Sequence, residues 1–458
     1  MKRPQTPPLL RDHLKNLTTT QQLERLPLLV GSPQGMCDNK GRYLHWDKVK
    51  HLTPPTELTV TEFWLAMKYA RQASARTLPF IDEKHQPFWY AVPDSLMRDL
   101  LWIEKHTTGS LEADPRITDD KTKRTYLLAS LMEESITSSQ LEGASTSRRQ
   151  AKELLKTGRA PKDHSERMIM NNHRAMKFIQ ENRAEPLTPA LIFELHRILT
   201  ENTLEPGDAD KAGAFRDVND DICVFSREDD SLPLHIPPKA VELPERLQRL
   251  CDFANAENSP DEQGFIPTVI RAVTLHFMIG FDHPFVDGNG RTARALFYWM
   301  MARERYWLME YVSISRVLKK APSKYMQAYL HTETDGNDLT YFLIHQLSVI
   351  KEAINDLYLY LEQRNHRMKE TASLLKSPEL QGQLNHRQLA LLQHALRNPG
   401  MEYTTQSHRG SHGVTQQTAR TDLLALSDKY QLLRKLKVGK TDIFIVPSDL
   451  EERLQRLP

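Results

Sequence analysis

Residues 283–294 read His-Pro-Phe-Val-Asp-Gly-Asn-Gly-Arg-Thr-Ala-Arg, a dense run of groups that do chemistry. Gly288 and Gly290 let the backbone turn tightly, its N–H groups pointing inward, at the entry to a helix whose positive end favours anions. Arg291 and Arg294 are three apart, so both project from one side of the first helical turn and can clasp a polyphosphate through bidentate hydrogen bonds. Asp287 offers the hard oxygen that Mg²⁺ takes when its other ligands are phosphates and water. His283 stands just before the turn, and its ordinary pKa lets it take a proton at neutral pH. Singly, each is an everyday structural residue: a histidine at a helix end, a solvated aspartate, an arginine on a wet face. Together they describe a site for attack on a nucleotide phosphate.

An apolar helix over Val269–Gly280 must lead into this turn and another, Ala295–Arg303, must follow it. Apolar residues recurring at three and four predict further helices over 61–73, 121–157, 165–183, 188–201, 240–257, 267–281, 289–304, 322–333 and 338–364, with Pro267 and Pro322 suited to first-turn positions. Two places read as β: 221–237, where Ile222-Cys223-Val224-Phe225 and Leu234-His235-Ile236 flank a polar loop, and 432–446. The first 55 residues, with patches such as Leu26-Pro27-Leu28-Leu29-Val30, read as irregular. A charged, Gln-rich stretch over 363–383 breaks the periodicity, and Ser377-Pro378 marks a boundary. The expected fold is mainly α. Its divisions are a partly helical N-terminal region of unassigned role (1–110), a helical core bearing a β-hairpin (111–365) and a small α+β unit (380–458).

Length and composition bound the rest. The 458 residues suit about three units. Sixty-one Lys and Arg against 59 Asp and Glu leave a net +2, so any nucleic-acid surface must be local. The 39% hydrophobic content is too high for a wholly disordered chain. Cys37, Cys223 and Cys251 lie far apart with no CxxC pair, which excludes a disulfide framework and a zinc ribbon and fits a reducing compartment. No apolar segment follows the basic start and no stretch approaches a membrane span, so a cytoplasmic protein without a membrane partner is expected. No HExxH or serine-hydrolase elbow occurs, and Gly439-Lys440-Thr441 lacks the upstream glycine of a Walker loop.

The 283–294 string resembles the Fic (filamentation induced by cAMP) family signature HxFx(D/E)GNGRxxR and matches it at every specified position. The resemblance extends over about residues 125–365 and implies an all-helical core that transfers AMP from ATP, with Mg²⁺ or Mn²⁺, to a Tyr, Thr or Ser hydroxyl of a protein, itself included. It implies that His283 deprotonates the hydroxyl and that Asp287 holds the metal on the α and β phosphates. Asn289 with the Gly288 and Gly290 amides would stabilise the α-phosphate, and Arg291 and Arg294 would hold the β and γ phosphates. Relatives that phosphorylate instead carry a Lys at the position of Gly290.

Ser138-Ser139-Gln140-Leu141-Glu142-Gly143 looks like the family's inhibitory motif (S/T)xxxE(G/N). Ser138 and Glu142 are one helical turn apart, and Gly143 suits a helix C-cap. The resemblance implies that Glu142 pairs with Arg294 and denies it to the γ-phosphate. The hairpin lies where the family has its target-docking flap, whose strand edge pairs with the substrate segment. Ile222, Val224 and Ile236 fit that role and fit core-facing strand positions equally. Gly213-Ala214-Phe215-Arg216 resembles the pre-flap turn. For the base, Tyr298 and the loop 331–338 are candidates, Tyr298 serving equally well as a core aromatic.

At the C-terminus, a helix over 386–398, another opening near Val414 and two strands around Gly439-Lys440 resemble a winged helix-turn-helix, whose second helix would enter a major groove while the Lys437–Lys440 turn touches phosphate. Nine Lys and Arg against three Asp and Glu lie between Arg387 and Lys440. That surplus permits DNA and equally suits a protein-docking module. Two functions therefore compete: a self-restrained adenylyltransferase, and a nucleotide-sensing DNA-binding regulator with vestigial catalysis. Removal of AMP at the same site, and a homodimer, are further expectations.

Overall fold

The computed structural model describes residues 3–31, 35–55, 57–108, 120–220, 222–226, 229–257, 264–375, 378–397, 400–438, 441–447 and 449–456. Helices dominate, and the chain forms two compact units, Met1–Asn355 and Asp356–Pro458.

At the centre of the first unit lie two consecutive helices, Thr268–Asp282 and Asn289–Arg303. Both are buried nearly all round, and the second carries Asn289, Arg291 and Arg294 among its buried residues. Val273, Leu275, Phe277, Met278, Leu296, Phe297 and Met301 are buried. Around them pack Asp120–Leu141, His164–Glu181 and Pro189–Thr200. The apolar run through 121–157 is not one helix. It ends at Leu141, turns at Gly143 (φ +101°), and restarts at Arg148 under the side-chain cap of Ser147. Asp94–Thr107 and Ile314–Lys320 are helices that periodicity missed.

The N-terminal stretch is more regular than its composition suggests. Leu10–Lys15 and Thr19–Val30 are helical, the second opened by a Thr18/Gln21 capping box and carrying Pro27 inside it. Strands β1 (Arg76–Ile81) and β2 (Pro87–Tyr90) pair antiparallel, a hairpin absent from the sequence expectation. Proline at both strands masked their pattern. The expected hairpin is present as β3 (Val224–Ser226) and β4 (Asp229–His235), joined through Val224↔His235 and Ser226↔Asp229. Residues Asp221, Arg227 and Glu228 of that expectation lie outside the described residues. Ile222 and Ile236 fall outside both strands, and Ile236 is 59% exposed.

Thr340–Leu374 is a single helix that continues through the start of the Gln-rich stretch. In the second unit, β5 (Glu402–Thr404), β6 (Arg434–Val438) and β7 (Thr441–Ile445) form an antiparallel sheet in the order β5-β7-β6. Helices His386–Arg397, Thr405–His412 and Gln416–Leu424 belong to the same unit, whose core contains Leu391, Leu392, Leu423, Leu426, Leu433 and Phe444. Strand β5 and the helix Thr405–His412 escaped the sequence reading, being too short to show a period. Gly439 and Lys440, expected at the β6–β7 turn, lie outside the described residues.

Candidate active site

The helix Thr268–Asp282 terminates at His283, whose backbone adopts the left-handed conformation (φ 45°, ψ 56°), costly for a non-glycine residue and held here by its surroundings. His283 Nδ1 lies 3.2 Å from the Gly280 carbonyl oxygen. A carbonyl only accepts, so Nδ1 carries the proton and Nε2 the lone pair. Burial pushes the imidazole down to about 4, against the Gly280 contact, which acts upward, so it is neutral near pH 7.

Five residues on, the chain turns into the helix Asn289–Arg303 through Gly288 (φ +81°). A Cβ there would lie 2.8 Å from Thr200 Cγ2 and 3.3 Å from His196 Nε2, so only glycine fits. The first-turn amides of this helix lack intrahelical acceptors, which makes the turn an anion cradle. Asn289 does something the sequence did not foretell. Its side chain donates to the Phe285 carbonyl (2.8 Å) and accepts from the Phe285 N–H (3.0 Å), stapling the turn from within. Asp287 is 57% exposed at the mouth, with Oδ2 accepting from Arg291 Nη2 at 2.8 Å. Arg291 is fully buried, and its Nη1 donates to the Leu199 carbonyl at 3.1 Å. The exposed Asp287 carboxylate suits a hard divalent cation bound largely by phosphate and water.

The other arginine is held from across the site. Arg294 donates from Nε to Ser138 Oγ (2.9 Å) and from Nη2 to the Ser138 carbonyl (3.1 Å) and Glu142 Oε1 (2.7 Å). Burial acts to lower the guanidinium's pKa, but the Glu142 carboxylate outweighs it and the pKa rises. The carboxylate reaches so far in that a methyl on Gly290 would overlap Glu142 Oε1 and stand 3.1 Å from Arg294 Nη1. An anion thus already occupies the space over Gly290.

Two positioning residues, Glu134 and His196, were not legible in the sequence. Glu134, about one turn before Ser138, is buried and accepts from Tyr298 OH (3.0 Å), Ser313 Oγ (2.7 Å), the Ser315 N–H (3.1 Å) and Ser315 Oγ. These bonds anchor the helix that presents Ser138. They also place Tyr298 in the core. His196 links Asp287 to Gly213, and burial keeps its pKa down at about 4. Arg216 donates to the His283 carbonyl from Nε at 2.8 Å and to the Pro238 carbonyl, tying the pre-hairpin turn to both site and hairpin. His235 of β4 reaches the Phe281 carbonyl (2.7 Å) and Glu333 (3.0 Å). Burial acts to lower its pKa, but the Glu333 carboxylate wins and raises it.

Of the expected loop 331–338, residues up to Thr334 belong to the helix Pro322–Thr334. Asp338 accepts from Tyr43 OH (2.6 Å), Asp335 pairs with Lys68 (2.8 Å), and Tyr341 joins Asp335 to the buried Arg71 (2.8 and 2.7 Å). These contacts weave the N-terminal stretch into the first unit. Nearby, His45, Asp47 and His331 are close enough to suggest a metal. His45 Nδ1 already accepts from the Asp47 N–H, and Nε2 meets Thr334 Oγ1, each at 3.2 Å.

Fold and site together define a mainly helical domain with an anion cradle, a neutral imidazole and a carboxylate at one turn. Residues 186–301 match the model of the Fic/DOC family. It is 30% identical over 173 residues to protein adenylyltransferase Fic of Drosophila willistoni, covering 36% of this chain and 31% of the relative. With the Drosophila mojavensis protein of the same name the identity is 31% over 173 residues, covering 36% and 30%. The match spans about a third of the length of these curated relatives. Among solved structures, a Fic family protein from Desulfovibrio desulfuricans is similar with a TM-score of 0.48 at 16% identity, covering 78% of this chain and 98% of that one. Fic-1 from C. elegans gives a TM-score of 0.42 at 21% identity, covering 59% and 72%.

Proposed function

We propose that the first unit is a protein adenylyltransferase, restrained by Glu142, that moves AMP from ATP to a Tyr, Thr or Ser hydroxyl of a protein, including its own. One observation carries this: an imidazole whose Nε2 bears the lone pair stands beside an anion cradle whose arginine is already held by a carboxylate. His283 Nε2 takes the hydroxyl proton as the oxygen bonds to the α-phosphorus. The bond from that phosphorus to the α–β bridging oxygen breaks, and pyrophosphate leaves. Asp287 would hold Mg²⁺, which when bound would supply charge neutralisation on the phosphates. The amides over 288–290 bind the α-phosphate in a turn kept rigid by the Asn289 staple. Arg291 and a released Arg294 bind the distal phosphates. With Arg294 on Glu142, the γ-phosphate loses its partner and meets a like charge.

The second unit we infer to be a winged helix-turn-helix that contacts DNA. A specific observation favours it over a solvated face. The outer side of the helix Gln416–Leu424 presents Gln416, Gln417, Arg420 and Thr421, residue types that read base edges. Its one acid, Asp422, turns inward to Arg387 (2.7 Å), Asn385 (2.7 Å) and His408 (3.2 Å). Burial acts to raise the Asp422 pKa, but these hydrogen bonds outweigh it and the carboxyl stays ionised.

The test is incorporation of label from α-³²P-ATP with Mg²⁺ into the full chain, comparing wild type, Glu142→Gly and His283→Ala. Label in Glu142→Gly above wild type, and none in His283→Ala, is expected. ATP binding without label in any of the three would overturn the transferase and turn attention to AMP removal or nucleotide sensing.

A further inference from the structure

His196 lies near the end of the helix Pro189–Thr200 and is fully buried. Its ring has two partners of opposite kind. The Gly213 N–H, which can only donate, lies 2.9 Å from Nδ1, so that nitrogen carries the lone pair. Nε2 therefore carries the proton and donates to the Asp287 carbonyl oxygen at 2.8 Å. The ring also stacks on Phe285, centroids 3.8 Å apart and planes 8° from parallel. One imidazole thus joins the turn before the β3–β4 hairpin to the turn that forms the anion cradle.

The chain around it is shaped for this contact. Gly213 has φ +80°, and a Cβ there would lie 2.9 Å from the Phe193 carbonyl oxygen and 3.1 Å from Arg197 Cβ. At the other end, Gly288 admits no side chain against Thr200 and His196. Leu199, three residues after His196, supplies the carbonyl that holds Arg291. The last turns of this helix are therefore a platform under the cradle, and His196 is its polar contact to both turns.

We propose that His196 is a positioning residue for nucleotidyl transfer: it fixes the Asp287 main chain, and so the direction in which the Asp287 carboxylate and the 288–290 amides face a metal-bound polyphosphate. The consequence for transfer rests on the adenylyltransferase reading above. The consequence for nucleotide binding and for local order does not. A charged cradle is sensitive to such support, since misplacement by about 1 Å can cost about 10²-fold.

The experiment uses the full chain carrying Glu142→Gly, with His196→Phe or His196→Gln added. Phenylalanine keeps the stack on Phe285 and removes both hydrogen bonds. Glutamine keeps an acceptor for Gly213 and a donor for Asp287. Transfer is expected to fall about 10- to 100-fold in His196→Phe, as for other residues that orient metal ligands, and to recover substantially in His196→Gln. Hydrogen exchange should quicken at Gly213 and over 284–290 in the first variant and return toward the parent in the second. Calorimetry with Mg²⁺ and a non-hydrolysable ATP analogue should show the same order of affinities. Equal loss in both folded variants would show that restoring the two bonds restores nothing and would overturn the proposal. So would unchanged exchange and nucleotide affinity in His196→Phe. If His196→Phe fails to fold, His196→Gln must retain parental exchange at Gly213 and nucleotide affinity, and their loss overturns the proposal. Absence of transfer in the parent would defeat the adenylyltransferase reading alone, because exchange and affinity still decide the role of His196.

Discussion

The cradle turn and the outer face of the helix Gln416–Leu424 both carry arginine and polar side chains, yet they use them in opposite ways. In the cradle, Arg291, Arg294 and Asn289 are buried and each is held by a named partner. On the helix, Gln416, Gln417, Arg420 and Thr421 are exposed, while the single acid is buried and neutralised. Burial strengthens each charge interaction and shifts pKa values, which is what bond-making chemistry requires. Exposure leaves such side chains open to solvent, which is what a reversible polyanion contact requires. The same residue types serve two purposes, and the partner and the depth decide which.

Four measurements break or sharpen this contrast. The largest effect is expected in the buried region: His283→Ala in the Glu142→Gly chain should lower transfer by about 10²- to 10⁴-fold, the usual share of a general base, while ATP affinity holds. Near-parental transfer would remove the base from the scheme. Next, Glu142→Gly alone should raise self-labelling by about 5- to 150-fold over wild type, the range of a typical intersite coupling. A rate no higher than wild type would mean that the Arg294 contact is purely structural. At the exposed face, Arg420→Ala should weaken duplex binding by about tenfold in gel-shift titrations, within the 1–3 kcal/mol of one base-reading arginine, and leave transfer untouched. Binding unchanged by it would assign that face to another partner. The smallest effect concerns pH. His283 is displaced downward from 6.5 to about 4, so its base form persists as pH falls and is lost only on passing through about 4. The kcat/KM of Glu142→Gly should then change by less than about twofold between pH 7 and pH 5.5. An acid limb near 6.5 would contradict the burial of that imidazole.

Long periodic elements were the most legible. The two central helices and the helices around them repeat at 3.6 residues over many turns, so their placement follows from burial alone. Short elements were not. Strands β1, β2 and β5 carry too few alternations, and the turn at Gly143 inside the apolar run 121–157 depends on a backbone conformation that no apolar pattern encodes. At the site, His283, Asp287, Arg291 and Arg294 were visible because their spacing is local. Asn289 was placed in the right turn with a different use for its side chain. His196 and Glu134 were invisible, because each acts through partners at least 17 residues away, such as Gly213 for His196, and nothing near either residue in the chain marks it.

By itself the sequence determined a mainly helical chain and a cradle whose base, carboxylate, glycines and arginines lie within twelve residues, since helical geometry makes neighbours of residues three and four apart. Only the tertiary structure decided what those groups are doing. It brought Ser138 and Glu142 onto Arg294 from more than 150 residues away. It lowered the pKa of His283 by enclosing it and turned Asp422 inward against Arg387, off the outer side of its helix. The physical reason is common to all three: charge is tuned by desolvation and by the nearest opposite charge, and both are properties of three-dimensional surroundings that no local spacing contains.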